Sequence, residues 1–179
     1  MREISLHILD LVQNSLAAQA KNIWLTLIED RQEDKMIIKI KDDGRGMSQE
    51  IRNKVLDPFY TTRTTRKVGL GLPLLWANAE ACEGKVEVKS ALGQGTTVEA
   101  VFRLSHLDRP PLGDMPATLV SFFSGSPEVN FFYVHKCAGK SFQISTVEIK
   151  KNLDGLPLNH PEVLTWLQEF LKEKEKELV

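Results

Sequence analysis

The segment Asp42-Asp43-Gly44-Arg45-Gly46-Met47 directly follows an apolar run typical of a strand, and a second glycine cluster, Gly69-Leu70-Gly71-Leu72, lies downstream. A carboxylate at the end of a strand can accept a hydrogen bond from an exocyclic amine, and neighbouring glycines let the backbone approach a flat base. Glycines just before a helix can present backbone N–H groups and the helix dipole to phosphate. Together, and in this order, the two clusters make ATP binding the first hypothesis.

The composition is that of an ordinary globular chain of 179 residues, long enough for one domain or for a domain with a small appendage. Lys and Arg total 23 against 24 for Asp and Glu, so charge gives no reason to expect nucleic acid or an anionic membrane as partner. No apolar stretch reaches the length of a membrane span, and Glu3 and Asp10 argue against a signal peptide. Cys82 and Cys137 lack metal-ligand spacing. We therefore expect a cytoplasmic protein with two free thiols.

Hydrophobic periodicity predicts the elements around these clusters. Residues 3–20 have helical spacing, and two strand-like runs joined by a charged segment predict an antiparallel hairpin, Ile23–Glu29 and Lys35–Lys41. Ser48 is the expected N-cap of a short helix that reaches Leu56.

The next part of the chain begins with residues 59–68, which are polar, rich in Thr and predicted to form a loop. A helix is predicted from Leu72 to just before Gly84. A second antiparallel pair follows, Lys85–Ser90 and Thr96–Arg103. The element order predicts the α+β class, as a two-layer α/β sandwich.

The proline-rich segment Arg109-Pro110-Pro111-Leu112-Gly113-Asp114 interrupts regular structure and reads as a linker. It divides the chain into a nucleotide domain, a linker and a small α+β unit, at residues 1–106, 107–116 and 117–179. The small unit is predicted as a ββ-β-α appendage, with strands at 117–123, 129–135 and 141–150 and a helix at 161–178. The sequence leaves open whether this unit extends the sheet, mediates dimerisation or binds a regulator.

Asp10 and Asn14 lie four residues apart, and so on one face of the first predicted helix. The Asn14 amide could give a neutral oxygen ligand to Mg²⁺, and Asp10 could orient or deprotonate an attacking group. The alternative is a solvated polar stripe on an amphipathic helix. The glycine clusters likewise have a plain alternative as turns, as does Gly93-Gln94-Gly95-Thr96. Their conjunction favours a nucleotide site.

The ordered set of segments resembles the Bergerat or GHKL ATP-binding fold of gyrase, mismatch-repair ATPases, chaperone ATPases and sensor histidine kinases. The resemblance covers roughly residues 3–104 and is nearest to the histidine-kinase-like ATP-binding catalytic domain. It rests on five segments: Asp10-Leu11-Val12-Gln13-Asn14, the Asp42–Met47 segment, Asp57-Pro58-Phe59-Tyr60-Thr61-Thr62-Arg63, Gly69–Leu72 and Gly93–Thr96.

The resemblance implies a role for each matching residue. Asp42 would bind the adenine amine with support from Gly46 and Thr96, and Asn14 would coordinate Mg²⁺. The loop from Thr61 to Val68 would be a lid over the phosphates, although its basic residues could serve only solubility. The implied catalytic residues are Asp10 and Asn14. The implied ATP-binding residues are Asn14, Asp42, Gly44, Gly46, Met47, Thr61, Thr62, Arg63, Lys67, Gly69, Leu70, Gly71, Leu72 and Thr96.

The same comparison leaves several functions open. Hydrolysing relatives often carry Glu where this chain has Asp10, and we expect no phosphoacceptor hairpin before that helix. His7 is expected to be a surface residue or a polar neighbour of the site. We therefore expect a module that binds Mg-ATP and transfers phosphate to a partner protein. An ATPase, a nucleotide-dependent switch and a non-catalytic ATP-binding regulator are the alternatives.

Overall fold

The computed structural model describes residues 3–55 and 71–178. These residues form helices and strands in a mixed order, which we number along the chain. The helices are α1 (Ile4–Ala17), α2 (Gln49–Lys54), α3 (Gly71–Ala81), α4 (Met115–Gly125), α5 (Thr146–Lys151) and α6 (Pro161–Leu178). The strands are β1 (Asn22–Asp30), β2 (Lys35–Asp42), β3 (Lys85–Ser90), β4 (Thr96–Arg103), β5 (Asn130–Cys137) and β6 (Lys140–Ser145).

The six strands make one sheet in the order β3-β4-β2-β1-β5-β6. Four of the five neighbouring pairs are antiparallel, including the predicted hairpin β1–β2 and the predicted pair β3–β4. The exception is β1 with β5, which are parallel and place Asn22 opposite Asn130. The sheet is therefore mixed, and strands from both ends of the chain meet at its centre.

One face of the sheet is covered and the other is open. Alternate residues of β1, β2, β4 and β5 are buried and join helix residues such as Ile8, Leu75 and Leu167 in one core. The intervening residues, such as Lys39, Lys41 and Lys136, point to the other face and are exposed. This arrangement confirms the two-layer α+β sandwich. Within the described residues, no helix is both long and apolar enough to cross a membrane.

The predicted strand at 117–123 is wrong, because this segment lies inside α4. The Asp114 carboxylate accepts a hydrogen bond from the Ala117 N–H and caps the helix. Leu119, Phe122 and Phe123 are buried at helical spacing, which a continuous apolar run does not distinguish from a buried strand. The strand predicted at 141–150 is likewise too long: β6 ends at Ser145, which caps α5.

The C-terminal strands extend the sheet, which settles one of the options left open for residues 117–179. The proline-rich segment is anchored as well, since the Pro111 and Leu112 carbonyls accept hydrogen bonds from the Ile4 and Ser5 N–H groups at the start of α1. The division of the chain at 107–116 stays a prediction.

A buried charged cluster fastens α6 to the sheet. His135 on β5 is fully buried, and its ring contacts Glu175 of α6 at 2.7 Å and Glu29 of β1 at 3.0 Å. The Tyr133 hydroxyl donates to the other oxygen of Glu175 at 2.8 Å. Burial alone would lower the pKa of His135, but hydrogen bonds to the two carboxylates and their charges raise it to about 9. His135 is thus a structural cation.

This cluster predicts a loss of stability at alkaline pH. Because the folded-state pKa of His135 lies above its ordinary 6.5, its contribution is complete below pH 6.5 and is lost as the pH rises through about 9. We expect the free energy of unfolding, measured with urea, to fall by about 2 kcal/mol between pH 6 and pH 9. Glu175→Gln should flatten this dependence. An equally steep dependence in Glu175→Gln would contradict the assignment.

Candidate functional site

Asp42, the last residue of β2, is the central polar residue of the site. Its side chain is buried, and three groups donate hydrogen bonds to it. The Ser15 hydroxyl lies 2.7 Å from Oδ2, and the N–H groups of Gly44 and Thr96 lie 2.9 Å and 3.2 Å from Oδ1. Each carboxylate oxygen has two lone pairs, so Oδ2 can accept one more donor. The site therefore offers an oriented acceptor of the kind that an amine requires.

The glycine turn after Asp42 packs tightly against the β3–β4 hairpin. Gly46 has φ +66°, and a Cβ atom there would overlap the Ala91 carbonyl oxygen. The Met47 N–H donates to the Ser90 hydroxyl at 2.8 Å, and the Ser90 hydroxyl donates to the Gly95 carbonyl at 2.9 Å. Glycine is needed at position 46 both for its φ and for this close approach.

A cavity of about 410 Å³ opens beside Asp42, within the range of small-molecule sites. Its walls are mainly apolar and come from α1, the sheet, α2 and α3, with Asp42 and Asn14 among the few polar groups. The lining residues are Leu11, Asn14, Ser15, Ala17, Ala18, Ile40, Asp42, Arg45, Gly46, Met47, Ile51, Val55, Leu72, Leu92, Thr96 and Val98. An apolar slot with one carboxylate suits a flat heterocycle that carries an amine.

Asp10 and Asn14 both lie near the start of α3. The Asp10 carboxylate lies so close to Gly71 that a Cβ atom on Gly71 would overlap Oδ2. Asn14, one helical turn further along α1, lines the cavity together with Leu72.

The donor set suits a magnesium ion that arrives with phosphate. Among residues 3–55 and 71–178, no group of three His, Cys, Asp or Glu side chains could hold a metal ion on its own. Mg²⁺ is usually held by one or two protein oxygens together with phosphates and waters. The Asn14 amide oxygen fits that requirement.

The structure brings together most of the predicted site residues that it describes. Asn14, Asp42, Gly46, Met47, Leu72 and Thr96 line the cavity, Gly44 donates to Asp42, and Gly71 begins α3. The predicted Thr61, Thr62, Arg63, Lys67, Gly69 and Leu70 lie outside the described residues, as does the predicted loop at 59–68.

Sequence reasoning missed Ser15, the donor to Asp42 Oδ2. Ser15 occupies a buried position on the apolar face of α1, and a small polar residue at such a position was the available indication. The hydrophobic walls, including Ile40, Ile51 and Val98, were also missed, because side chains of that type line any core.

Of the two positions expected for His7, the one on the surface is wrong, because the side chain is buried. His7 is buried between α1 and α3, and its Nε2 lies 2.8 Å from the Asn78 amide nitrogen. Burial, with a smaller effect from the N-terminal charge, lowers the pKa of His7 to about 4. Its Nε2 therefore accepts the hydrogen bond from Asn78, and the ring is neutral at physiological pH.

Sequence comparisons agree with this geometry. Residues 2–106 match the family described as histidine kinase-, DNA gyrase B- and HSP90-like ATPases. The "Probable C4-dicarboxylate sensor kinase" of Halalkalibacterium halodurans is 36% identical over 92 residues, which are 49% of this chain and 17% of that protein. Sporulation kinase C of Bacillus subtilis is 28% identical over 96 residues, 54% of this chain and 22% of the kinase. The chain thus spans less than a quarter of either relative.

A solved structure extends the likeness of the fold. The N-terminal domain of a DNA repair protein superposes with a TM-score of 0.56 at 16% identity, over 80% of this chain and 52% of that one. This share exceeds what residues 2–106 alone can supply, so part of the C-terminal region shares the fold as well. The family match covers more than half of the chain, and the described part of its motifs surrounds one cavity. The chain therefore belongs to the histidine kinase-, DNA gyrase B- and HSP90-like ATPase family, and residues 2–106 are a histidine-kinase-like ATP-binding module.

Proposed function

We propose that the protein binds Mg-ATP in the cavity beside Asp42 and transfers the γ-phosphoryl group to a partner protein. The observation that carries this proposal is the Asp42 carboxylate, held by three donors at the edge of an apolar cavity. A buried acceptor fixed in this way discriminates strongly, since a ligand without a matching donor leaves it unpaired.

In the proposed complex, adenine occupies the apolar part of the cavity. Its exocyclic amine donates to Asp42, and Ile40, Met47 and Val98 lie near enough to contact the flat ring. Gly46 supports this arrangement because its missing Cβ keeps the turn close to the hairpin. The base is therefore selected by one hydrogen bond and by shape.

The phosphates would then extend towards the start of α3. Backbone N–H groups at Gly71 and Leu72, with the helix dipole, favour negative charge there. Asn14 would hold Mg²⁺, which neutralises charge on the phosphates during transfer. Thr61, Thr62, Arg63 and Lys67 of the lid are proposed as further phosphate contacts, together with Gly69 and Leu70, which follow the lid.

The kinase reading is supported by relatives whose names are those of sensor and sporulation kinases. In this reading Asp10, next to Gly71, orients or deprotonates the acceptor group. The same carboxylate could activate water instead, which would make the protein an ATPase. The two reactions differ only in which nucleophile reaches the γ-phosphate.

An assay with γ-labelled ATP tests the reaction, with Asn14→Ala as the informative variant. We expect the wild-type protein to transfer label to a partner only with Mg²⁺, and Asn14→Ala to lose at least tenfold of this activity because the metal loses its protein ligand. ATP binding without Mg²⁺ should be nearly unchanged in Asn14→Ala. Asn159→Ala, on an exposed loop, is the matched control.

The products separate the candidate functions. Acid-labile label on protein indicates phosphohistidine, and acid-stable label indicates a hydroxyl acceptor. Free phosphate without labelled protein would replace the kinase assignment with an ATPase. Bound ATP with neither product would leave a non-catalytic regulator.

A further inference from the structure

The residue next to Asp42 joins the cavity to the C-terminal part of the chain. The Asp43 carboxylate accepts three hydrogen bonds from the α1–β1 junction: from the Lys21 and Asn22 N–H groups at 2.8 Å and 2.9 Å, and from the Asn22 side-chain amide at 2.6 Å. Asp43 is exposed to solvent, and although partial desolvation would raise its pKa, these hydrogen bonds outweigh that effect and lower the pKa. Asp43 is therefore ionised and can only accept.

Asn130, the first residue of β5, completes the connection. Its side-chain amide donates to Asn22 Oδ1 at 3.0 Å, and its backbone N–H donates to the Lys21 carbonyl at 2.9 Å. The parallel register of β1 and β5 places these two asparagines opposite each other. Both ends of the Asn22 amide are thus used, one by Asp43 and one by Asn130.

The polarity of this connection is fixed by chemistry. Because ionised Asp43 can only accept, the NH₂ group of Asn22 must face it, and the Asn22 oxygen must face Asn130. Asn130 therefore has to present its own NH₂ group. We call the set Asp43, Asn22 and Asn130 the asparagine bridge.

The bridge holds the turn that carries Asp42. The Asp43 N–H lies 3.3 Å from the Asn22 carbonyl, and the Arg45 N–H donates to the Ala18 carbonyl at 2.9 Å, so the first part of the turn lies against residues 18–22. Asn130 is thus linked through Asn22 to Asp43, whose main chain continues directly from Asp42.

We propose that Asn130 and Asn22 are positioning residues for the nucleotide cavity, so that the C-terminal region sets the ATP affinity through the asparagine bridge. The inference rests on the proposed ATP binding at Asp42. It gives the C-terminal strands a role beyond widening the sheet: β5 carries Asn130 at the end near the cavity and His135 at the end that fastens α6. An event that shifts α6 or β5 can thereby alter nucleotide affinity.

The fixed polarity supplies a rescue experiment. In Asn130→Asp, the Asn22 amide lies between two carboxylates and can donate its NH₂ group to only one of them. We expect ATP affinity, measured by calorimetry, to fall about tenfold, and Asn130→Ala to lose about threefold. In the double variant Asp43→Asn with Asn130→Asp, both side-chain hydrogen bonds of Asn22 can form with their directions reversed. The new amide oxygen at position 43 can still accept from the Lys21 and Asn22 N–H groups, and the net charge is unchanged. We expect that double variant to bind ATP within about twofold of the wild type.

The control variant and the melting temperatures distinguish a loss of positioning at the nucleotide cavity from a loss of overall stability. Asn159→Asp, at an exposed site, should bind ATP as the wild type does. Unchanged affinity in both Asn130 variants, or a double variant that binds no better than Asn130→Asp, overturns the bridge while ATP binding by the wild type stands. If Asn130→Asp fails to fold, the Asn130→Ala and double variants decide the question. A wild-type protein that does not bind ATP overturns the proposed function, and the bridge with it.

Discussion

Replacing Asp42 with Asn should lower the affinity for ATP at least tenfold and bring binding below detection in routine calorimetry. The Gly44 and Thr96 N–H groups both donate to Oδ1, so an asparagine would keep its oxygen there and place its NH₂ group at the position of Oδ2. The Ser15 hydroxyl can rotate to accept from that NH₂ group, but the adenine amine would meet a donor where it needs an acceptor. The substitution keeps the size of the side chain, and the effect is therefore one of hydrogen-bond polarity.

The matched control is Asp154→Asn, which makes the same chemical change on an exposed turn. It should bind ATP like the wild type. Ser15→Ala should give an intermediate loss, because it removes one donor and leaves the carboxylate acceptor in place. Unchanged ATP affinity in Asp42→Asn, with a native melting temperature, would contradict the assignment of the adenine site.

A chain shortened to residues 1–116 should not form a stable monomeric domain. It lacks β5, so the backbone of β1 loses one of its two partner strands. It also lacks most of α4, whose Leu119, Phe122 and Phe123 are part of the common core. Removing a large buried side chain lowers the free energy of unfolding by about 3–5 kcal/mol. The loss of several such side chains therefore exceeds the whole free energy of unfolding of a typical domain.

Size-exclusion chromatography and urea unfolding of the shortened chain test this expectation. We expect aggregation or the absence of a cooperative transition. A chain ending at residue 159 keeps β5 and β6 but lacks the buried Val163, Leu167 and Leu171 of α6, so by the same reasoning it should also lack a cooperative transition. A cooperative, monomeric 1–116 fragment would establish 107–116 as a true domain boundary.

The sequence predicted the N-terminal architecture well because its features are local. The helix of residues 3–20 and the Ser48 cap depend on residues within a few positions of one another. The β1–β2 hairpin joins two strands that follow each other directly in the chain. The same holds for the Asp42 turn, where the residue types and their spacing specify one backbone geometry.

What the sequence did not reveal depends on residues far apart in the chain. The pairing of β1 with β5 joins segments about a hundred residues apart. In the buried charged cluster, His135 contacts Glu175, 40 residues away, and Glu29, 106 residues away. Periodicity reports which face of a segment is apolar, and it does not report what covers that face. For the same reason the apolar run at 117–123 was predicted as a strand, and a surface position for His7 was left open.

The parallel pairing of β1 with β5 also has a consequence during synthesis. Asn22 and its partner Asn130 are 108 residues apart, so at ordinary rates of translation β1 waits roughly 5 to 20 s for its neighbour to be made. During that interval β1 offers an unpaired backbone to other nascent chains. Glu29 points from β1 towards the future core, and an inward charge of this kind opposes edge-to-edge association. The carboxylate that later holds His135 can therefore protect the growing chain first.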